Sequence, residues 1–243
     1  MDDDGHFDAD LAATYDDDSG HSGEAAVGPV VDCLAGLAGS GRALEFGIGT
    51  GRIALPLAQR GVPVHGIDMS RAMLAKLADK PGADSVAVTV GDFATTVVGE
   101  SFSVVYLVFN TIMNLTTQAA QVACFRNAAA HLEPGGCFVI EVMVPRLQAL
   151  PPGATLQVFD RSDSHWGVDE YDVVTQRLIS HHVHFRRGRA QRVSMSARYV
   201  WPAELDLMAE LAGMRLRHRW GGWRREPFTA MSRSHVSVWE RPA

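Results

Sequence analysis

The spacing of apolar residues along the chain changes period repeatedly, and each change marks an element. From Glu24 to Leu37 apolar positions recur at helical spacing, and Gly39-Ser40-Gly41 interrupts them. Ala43 to Phe46 is a short apolar run that leads into a glycine cluster. Residues 51–60 read as a helix with Gly61 just past its end, and Pro56 should kink it or mark its effective start. Val62–Ile67 is a predicted strand, followed by Asp68 and a helix from Ser70 to Ala78 with Ser70 as N-cap. Ser85–Val90 is the next strand, closed by Gly91-Asp92. Phe102–Val108 is almost continuously apolar, as a parallel strand buried on both faces should be. A helix over residues 117–132 ends at Glu133-Pro134-Gly135-Gly136, and Cys137–Val142 is another buried strand. The first 145 residues therefore alternate strand and helix, which predicts a doubly wound α/β sheet with right-handed crossovers.

After Pro145 the texture changes. Three strand-like stretches follow without helices between them: residues 156–162, 170–185 and 192–201. Arg186-Arg187-Gly188 separates the last two, predicting an antiparallel hairpin. Pro202–Leu211 is helical, with proline in the first turn and Gly213 beyond the end. Arg215–Trp220 and His235–Glu240 read as final strands. This gives four regions: an acidic N-terminal segment or lid over 1–22, a core over 23–145, an antiparallel insertion over 146–200, and a last helix with two strands over 201–243.

Composition narrows the class. The chain has 243 residues, 47% of them hydrophobic and 21% charged, ordinary values for a globular protein. No apolar run reaches the length of a membrane span, and the opening MDDDGHFDAD lacks a basic and an apolar stretch, so a cytoplasmic protein without a secretory leader is expected. Cys33, Cys124 and Cys137 are odd in number and far apart, as expected for reduced buried thiols. Residues 1–24 hold nine of the 28 acidic residues and none of the 22 basic ones. The net charge of −6 argues against a nucleic-acid surface.

The candidate chemistry lies in Glu45-Phe46-Gly47-Ile48-Gly49-Thr50-Gly51, between a strand and its helix. Glycines at spacing two let the backbone turn tightly and approach a ligand closely. Asp68 stands 17 residues beyond Gly51 at the end of the next strand, where a carboxylate can accept from both hydroxyls of an adenosine ribose. A dinucleotide site spaces its glycines G-x-G-x-x-G and faces a pyrophosphate with a helix N-terminus. Here the spacing is G-x-G-x-G, and a carboxylate, Glu45, sits two residues before the first glycine. A negative group is ill placed beside a pyrophosphate and well placed beside a cation. S-adenosylmethionine (SAM) carries a sulfonium and an ammonium, so the sign of Glu45 favours SAM over a nicotinamide dinucleotide.

These residues resemble the class I SAM-dependent methyltransferases over roughly residues 40–145. The resemblance implies a Rossmann-like, seven-stranded, mostly parallel sheet with an antiparallel β insertion after the fifth strand. It implies a cofactor site in which Glu45, Gly47, Gly49 and Gly51 line the methionine end and Asp68 holds the ribose. Met69 would lie against the adenine, Asp92 would accept from its amino group, and Phe93 would pack on the ring. Phe109 and Asn110, after the fourth strand, would line the methionine end. The acidic segment with Tyr15-Asp16 resembles the lid of sugar N-methyltransferases and related natural-product enzymes, where the tyrosine contacts the cofactor. In that branch the insertion builds the acceptor site and often a homodimer contact. The implied activity is methyl transfer from SAM, with S-adenosylhomocysteine as the product, to an N, O or C atom of a small-molecule acceptor in secondary metabolism. No metal is expected.

The insertion supplies candidates of its own. Strand alternation puts His182 and His184 on one face. They are the candidate catalytic bases, against the simpler reading of a solvated strand face. The same pair could chelate a metal, but the sequence shows no third ligand. The insertion is expected to turn one apolar face toward the ligand or a second subunit, and substitution of His182 or Tyr171 on it to alter turnover or acceptor choice. Three rival classes remain: a nucleic-acid or protein methyltransferase, a non-catalytic SAM-binding regulatory protein, and a nicotinamide-dependent reductase, which the charge of Glu45 disfavours. The stretch Phe109-Asn110-Thr111-Ile112 lacks the Asn/Asp-Pro-Pro-aromatic pattern of many exocyclic base-amine methyltransferases.

Overall fold

A computed structural model describes residues 7, 9–18, 24–186 and 189–243. Its main sheet has seven strands: β1 (Ala43–Phe46), β2 (Val64–Asp68), β3 (Val86–Val90), β4 (Phe102–Leu107), β5 (Leu132–Met143), β10 (Arg215–Trp220) and β11 (Ser234–Glu240). Their order is β10-β11-β5-β4-β1-β2-β3. Strands β1 to β5 pair in parallel, while β11 runs antiparallel to both β5 and β10. The chain winds outward in opposite directions from β1 and β4, so a crevice opens between the C-terminal ends of these two strands.

Helices cover both faces. Helix α2 (Glu24–Ala38) and α3 (Ala54–Gln59) pack Val30, Val31, Leu34, Ile53 and Leu57 against one face. Helix α4 (Arg71–Ala78) adds Leu77 to the same cluster. Helix α5 (Gln118–His131) and α6 (Pro202–Leu211) pack Phe125, Ala128, Leu205 and Met208 on the other. All four residues of β1 are buried, the Glu45 carboxyl among them. Ser70 caps α4 as predicted, its hydroxyl accepting from the Met73 N–H at 3.1 Å. Pro56 lies in the first turn of α3, where its missing N–H is harmless.

A second sheet follows β5 as the antiparallel meander β6 (Leu156–Arg161), β7 (His165–Asp172), β8 (Arg177–Arg186) and β9 (Arg189–Arg198). The hairpin expected after Phe185 is present, with Arg186 opposite Arg189, although Arg187 and Gly188 lie outside the described residues. The expected single strand over 170–185 is in fact two, split by residues 173–176. No Gly or Pro marks this turn. It is closed by Asp172, whose two oxygens accept from the Val174 N–H at 2.9 Å and the Thr175 hydroxyl at 2.5 Å, with Gln176 left-handed at φ 58°. Because Val173 and Val174 are β-branched, the strand-like texture runs on through the turn. Tyr171 of the insertion is 1% exposed and packs in the main core, not on a face open to a ligand or a second subunit. Strand β5 also begins five residues earlier than expected, at Leu132, with a register shift opposite Phe102 to Val104.

One polar network anchors the second sheet to the first domain layer. Arg198, at the end of β9, donates to Gln121 of α5 at 2.5 Å, to Gln176 at 3.0 Å and to Glu204 of α6 at 2.7 Å. The Arg198 and Glu204 side chains are 6% and 15% exposed. Removing one partner of such a buried pair leaves an uncompensated charge. Arg198→Ala should therefore lower unfolding stability by about 3–5 kcal/mol, read from urea denaturation; a loss below about 1 kcal/mol would mean that water replaces the guanidinium at no cost.

Candidate active site

The crevice is floored by the loop after β1. Gly47 and Gly49 have φ of 72° and 54°, conformations that side chains with a Cβ rarely adopt. A Cβ on Gly47 would also stand 2.8 Å from Cγ2 of Thr111. The loop shape is fixed from β2. The Gly49 N–H donates to one Asp68 oxygen at 2.7 Å, and the Ser70 N–H donates to the other at 2.9 Å. Gly51 is left-handed too, but it meets Leu77 and Leu55 of the core and does not line the crevice.

Under the loop, Glu45 is 3% exposed and accepts from the Tyr106 hydroxyl at 2.9 Å. Burial pushes its carboxyl up to about 8, despite that hydrogen bond and the nearby Arg52 guanidinium. Arg52 lies over the Phe109 ring, 4.0 Å from its centroid, and 5.4 Å from the centroid of Tyr15. Phe109 and Asn110 are consecutive left-handed non-glycine residues, with φ of 55° and 63°. Strand β5 holds them there: the Phe109 N–H donates to the Glu141 carboxylate at 3.1 Å, and the Asn110 side-chain oxygen accepts from the Met143 N–H at 2.7 Å. Such backbone strain persists only where the surroundings over-determine it.

Helix α1 (Ala9–Asp18) lies against the crevice and contributes Tyr15 to its lining. Asp16 accepts from the Thr50 hydroxyl at 2.7 Å and pairs with Lys80 at 2.6 Å. The Ser70 hydroxyl donates to the Phe7 carbonyl at 2.5 Å. These contacts set Tyr15 into the crevice, where desolvation raises its phenol above the ordinary range although Arg52 opposes the shift.

Two connected hollows result. One of about 240 Å³ is lined by Phe7, Tyr15, Gly47, Gly49, Asp68, Met69, Met73, Phe93, Thr111 and Asn114, and by Met195 and Ser196 of β9. A smaller one of about 30 Å³ reaches Glu45, Arg52 and Phe109. Of the residues expected at the site, Tyr15, Glu45, Gly47, Gly49, Asp68, Met69, Phe93 and Phe109 line these hollows. Asp92 is exposed at the rim, its carboxylate accepting from the Ala94 N–H at 2.8 Å. Asn110 braces the loop from outside, and His182 and His184 lie on the second sheet, off the lining. Arg52, Phe7, Met73 and Met195 were not singled out from the sequence. Arg52 directly follows the last glycine and was legible in principle; Met195 reaches the crevice only through the fold of the insertion.

Residues 43–136 match a family described as a methyltransferase domain. The CcbJ methyltransferase of Streptomyces caelestis is 36% identical, with a TM-score of 0.87 over 99% of both chains. The cypemycin N-terminal methyltransferase of a Streptomyces species is 29% identical over 203 residues, 82% of either chain. The SAM-bound amino pentose methyltransferase CalS10 of Micromonospora echinaspora has the same fold, with a TM-score of 0.68 at 23% identity over 94% of this chain and 95% of that one. The chain thus belongs to the class I SAM-dependent methyltransferases. Its residues fit that cofactor: bare glycine backbone, an apolar wall of Phe93, Met69 and Met73, and carboxylates where hydroxyl and cationic groups need acceptors. No helix among the described residues is long and apolar enough to cross a membrane.

The burial of Glu45 makes a pH dependence. Its raised folded value means that the protonated form is favoured by folding, so this contribution is complete below the ordinary glutamate range and is lost as pH rises through about 8. In the ligand-free protein, urea midpoints should fall between about pH 5 and pH 9, and Glu45→Gln should flatten that slope. An unchanged slope in the variant would place the titration elsewhere.

Proposed function

We propose that the crevice holds SAM beneath helix α1 and that the second sheet presents a small-molecule amine to it. The observation that carries this reading is the composition of the lining: glycine backbone, Asp68 and the apolar wall on one side, Met195 and Ser196 of β9 on the other. When bound, SAM supplies a sulfonium methyl group for in-line attack by a nucleophile.

The chain's own residues then have separate tasks. Asp68 accepts from the ribose hydroxyls while keeping the glycine loop in shape. Met69 and Phe93 flank the adenine. Arg52 would pair with the carboxylate of the methionine moiety, and Glu45 would give its carboxyl proton to solvent and face the cationic groups. Tyr15 and Phe109 exclude water from the reacting end, and α1 acts as the lid. Alignment and a dry pocket are the protein's contribution to such a displacement.

An amine is favoured over a phenol or alcohol. The described lining of the larger hollow contains no histidine or lysine, and its one phenol, Tyr15, is held in the neutral form. A neutral amine needs no base to attack, whereas a hydroxyl benefits from one of near-neutral pKa. The named activities of the cypemycin N-terminal and amino pentose relatives point the same way. His182 and His184 are the available bases if the acceptor is a hydroxyl.

Asp68→Ala removes charge-assisted hydrogen bonds of about 1.5–3 kcal/mol each and should weaken SAM about tenfold to several hundredfold, read by calorimetric titration of the folded variant. A change below about threefold would reduce Asp68 to a brace for the loop. The acceptor class is tested with labelled SAM against amino sugars, peptide amines and phenols. Transfer to amines that persists in a His182→Ala/His184→Ala variant supports the reading; transfer confined to phenols, and lost in that variant, overturns it.

A further inference from the structure

The third ligand absent from the sequence pattern is supplied by the sheet. His165 on β7 lies directly opposite His184 on β8, and His182 is two residues along the same face. One nitrogen from each of His165, His182 and His184 falls within 4.8 Å of the others. The His165 Nε2 and His182 Nδ1 atoms are 3.0 Å apart. Two nitrogens on one tetrahedral zinc ion, each about 2.0–2.1 Å from the metal, stand roughly 3.3 Å apart. The backbone therefore already delivers this pair at almost the separation a metal would impose.

The surroundings match a metal site as well. The other ring nitrogen of His165, Nδ1, is 2.6 Å from an Asp160 oxygen, the carboxylate–histidine arrangement that fixes the tautomer of metal-ligating imidazoles. Phe159 packs against His165 and His182, with ring centroids at 6.2 and 5.4 Å. All three histidines are half-buried. We propose that His165, His182 and His184 bind one divalent transition-metal ion of the zinc class, with Asp160 orienting His165.

Three imidazoles suit zinc, copper or nickel over magnesium or calcium. In the ligand-free arrangement the rings are stacked, with His165 and His182 at 25° and centroids 5.1 Å apart. A metal lies in the plane of each ring it binds, so the side chains must turn about χ2. The His165–His182 hydrogen bond is then exchanged for two metal bonds. Three protein ligands leave a fourth position for water or a ligand atom. That position has a direction: His182 pairs with Val193, two residues along β9 from the crevice-lining Met195. Strand alternation puts Met195 and Val193 on the face that carries the histidines. The ion would stand beyond Met195 at the outer end of that face. Metal binding needs no part of the methyl-transfer reading and is measured without it.

The test is a calorimetric titration of Zn²⁺ into the full chain after dialysis against a chelator, repeated with Co²⁺ to record the visible absorption of a four-coordinate site. One equivalent should bind, with a tetrahedral cobalt spectrum. His165→Ala and His184→Ala should each weaken binding at least tenfold, and Asp160→Asn about tenfold. His181→Ala is the control: it lies on the opposite face, 2.8 Å from the Ser194 hydroxyl, and should leave binding within twofold. Unchanged SAM affinity in each variant verifies that the fold is kept. Absence of stoichiometric binding, or an equal loss in His181→Ala, overturns the proposal.

Discussion

The Asp68 carboxylate is shared between the N–H groups of Gly49 and Ser70, and the shape of the crevice follows from that sharing. One oxygen pulls the glycine loop of β1 toward the end of β2, and the other fixes the first turn of α4. Ser70 extends the chain of contacts. Its hydroxyl caps α4 through Met73 and donates to the Phe7 carbonyl, which ties the N-terminal segment to the same point. Floor, wall and roof therefore meet at two adjacent side chains. A charged acceptor bonded to backbone N–H groups is stronger than a neutral one, which suits a residue that organises three segments.

Charge in the crevice is arranged around this frame. Glu45 lies under the loop, where burial pushes its carboxyl up to about 8. The Arg52 guanidinium lies over the Phe109 ring, 4.0 Å from its centroid. The left-handed pair Phe109-Asn110 is the backbone cost of holding that ring in place, and Glu141 and Met143 stabilise it.

The parallel core was legible because its periodicities are local. Ala43–Phe46, Pro202–Leu211 and the Ser70 cap stand where the pattern put them, since each is set by burial or by a hydrogen bond three residues away. The glycine spacing carried the cofactor class for the same reason, whereas the charge read for Glu45 did not anticipate its burial, which pushes the carboxyl up to about 8. The failures share a cause. The turn at residues 173–176 is built by Asp172 through side-chain acceptance, which an Asp-Val-Val-Thr stretch does not announce. The burial of Tyr171 follows from where the second sheet docks, and that is decided by Arg198 reaching Gln121, 77 residues distant in sequence.

The second sheet has two ends with different physics. At one end Tyr171, Leu178, Tyr199 and Arg198 are buried against α5 and α6, so the sheet is fixed rigidly to the core. At the other, Phe159 and Trp166 are exposed. Met195 and Ser196 lie between the ends, at the crevice. A sheet fixed at one end can tolerate change at the other, because substitutions there do not reach the buried charge pair or the core rings. Among the described residues, the strands of this sheet contribute Met195 and Ser196 to the hollow that Asp68 and Gly49 also line. Histidines placed on the outer end can take up new chemistry without altering how the loop after β1 is held.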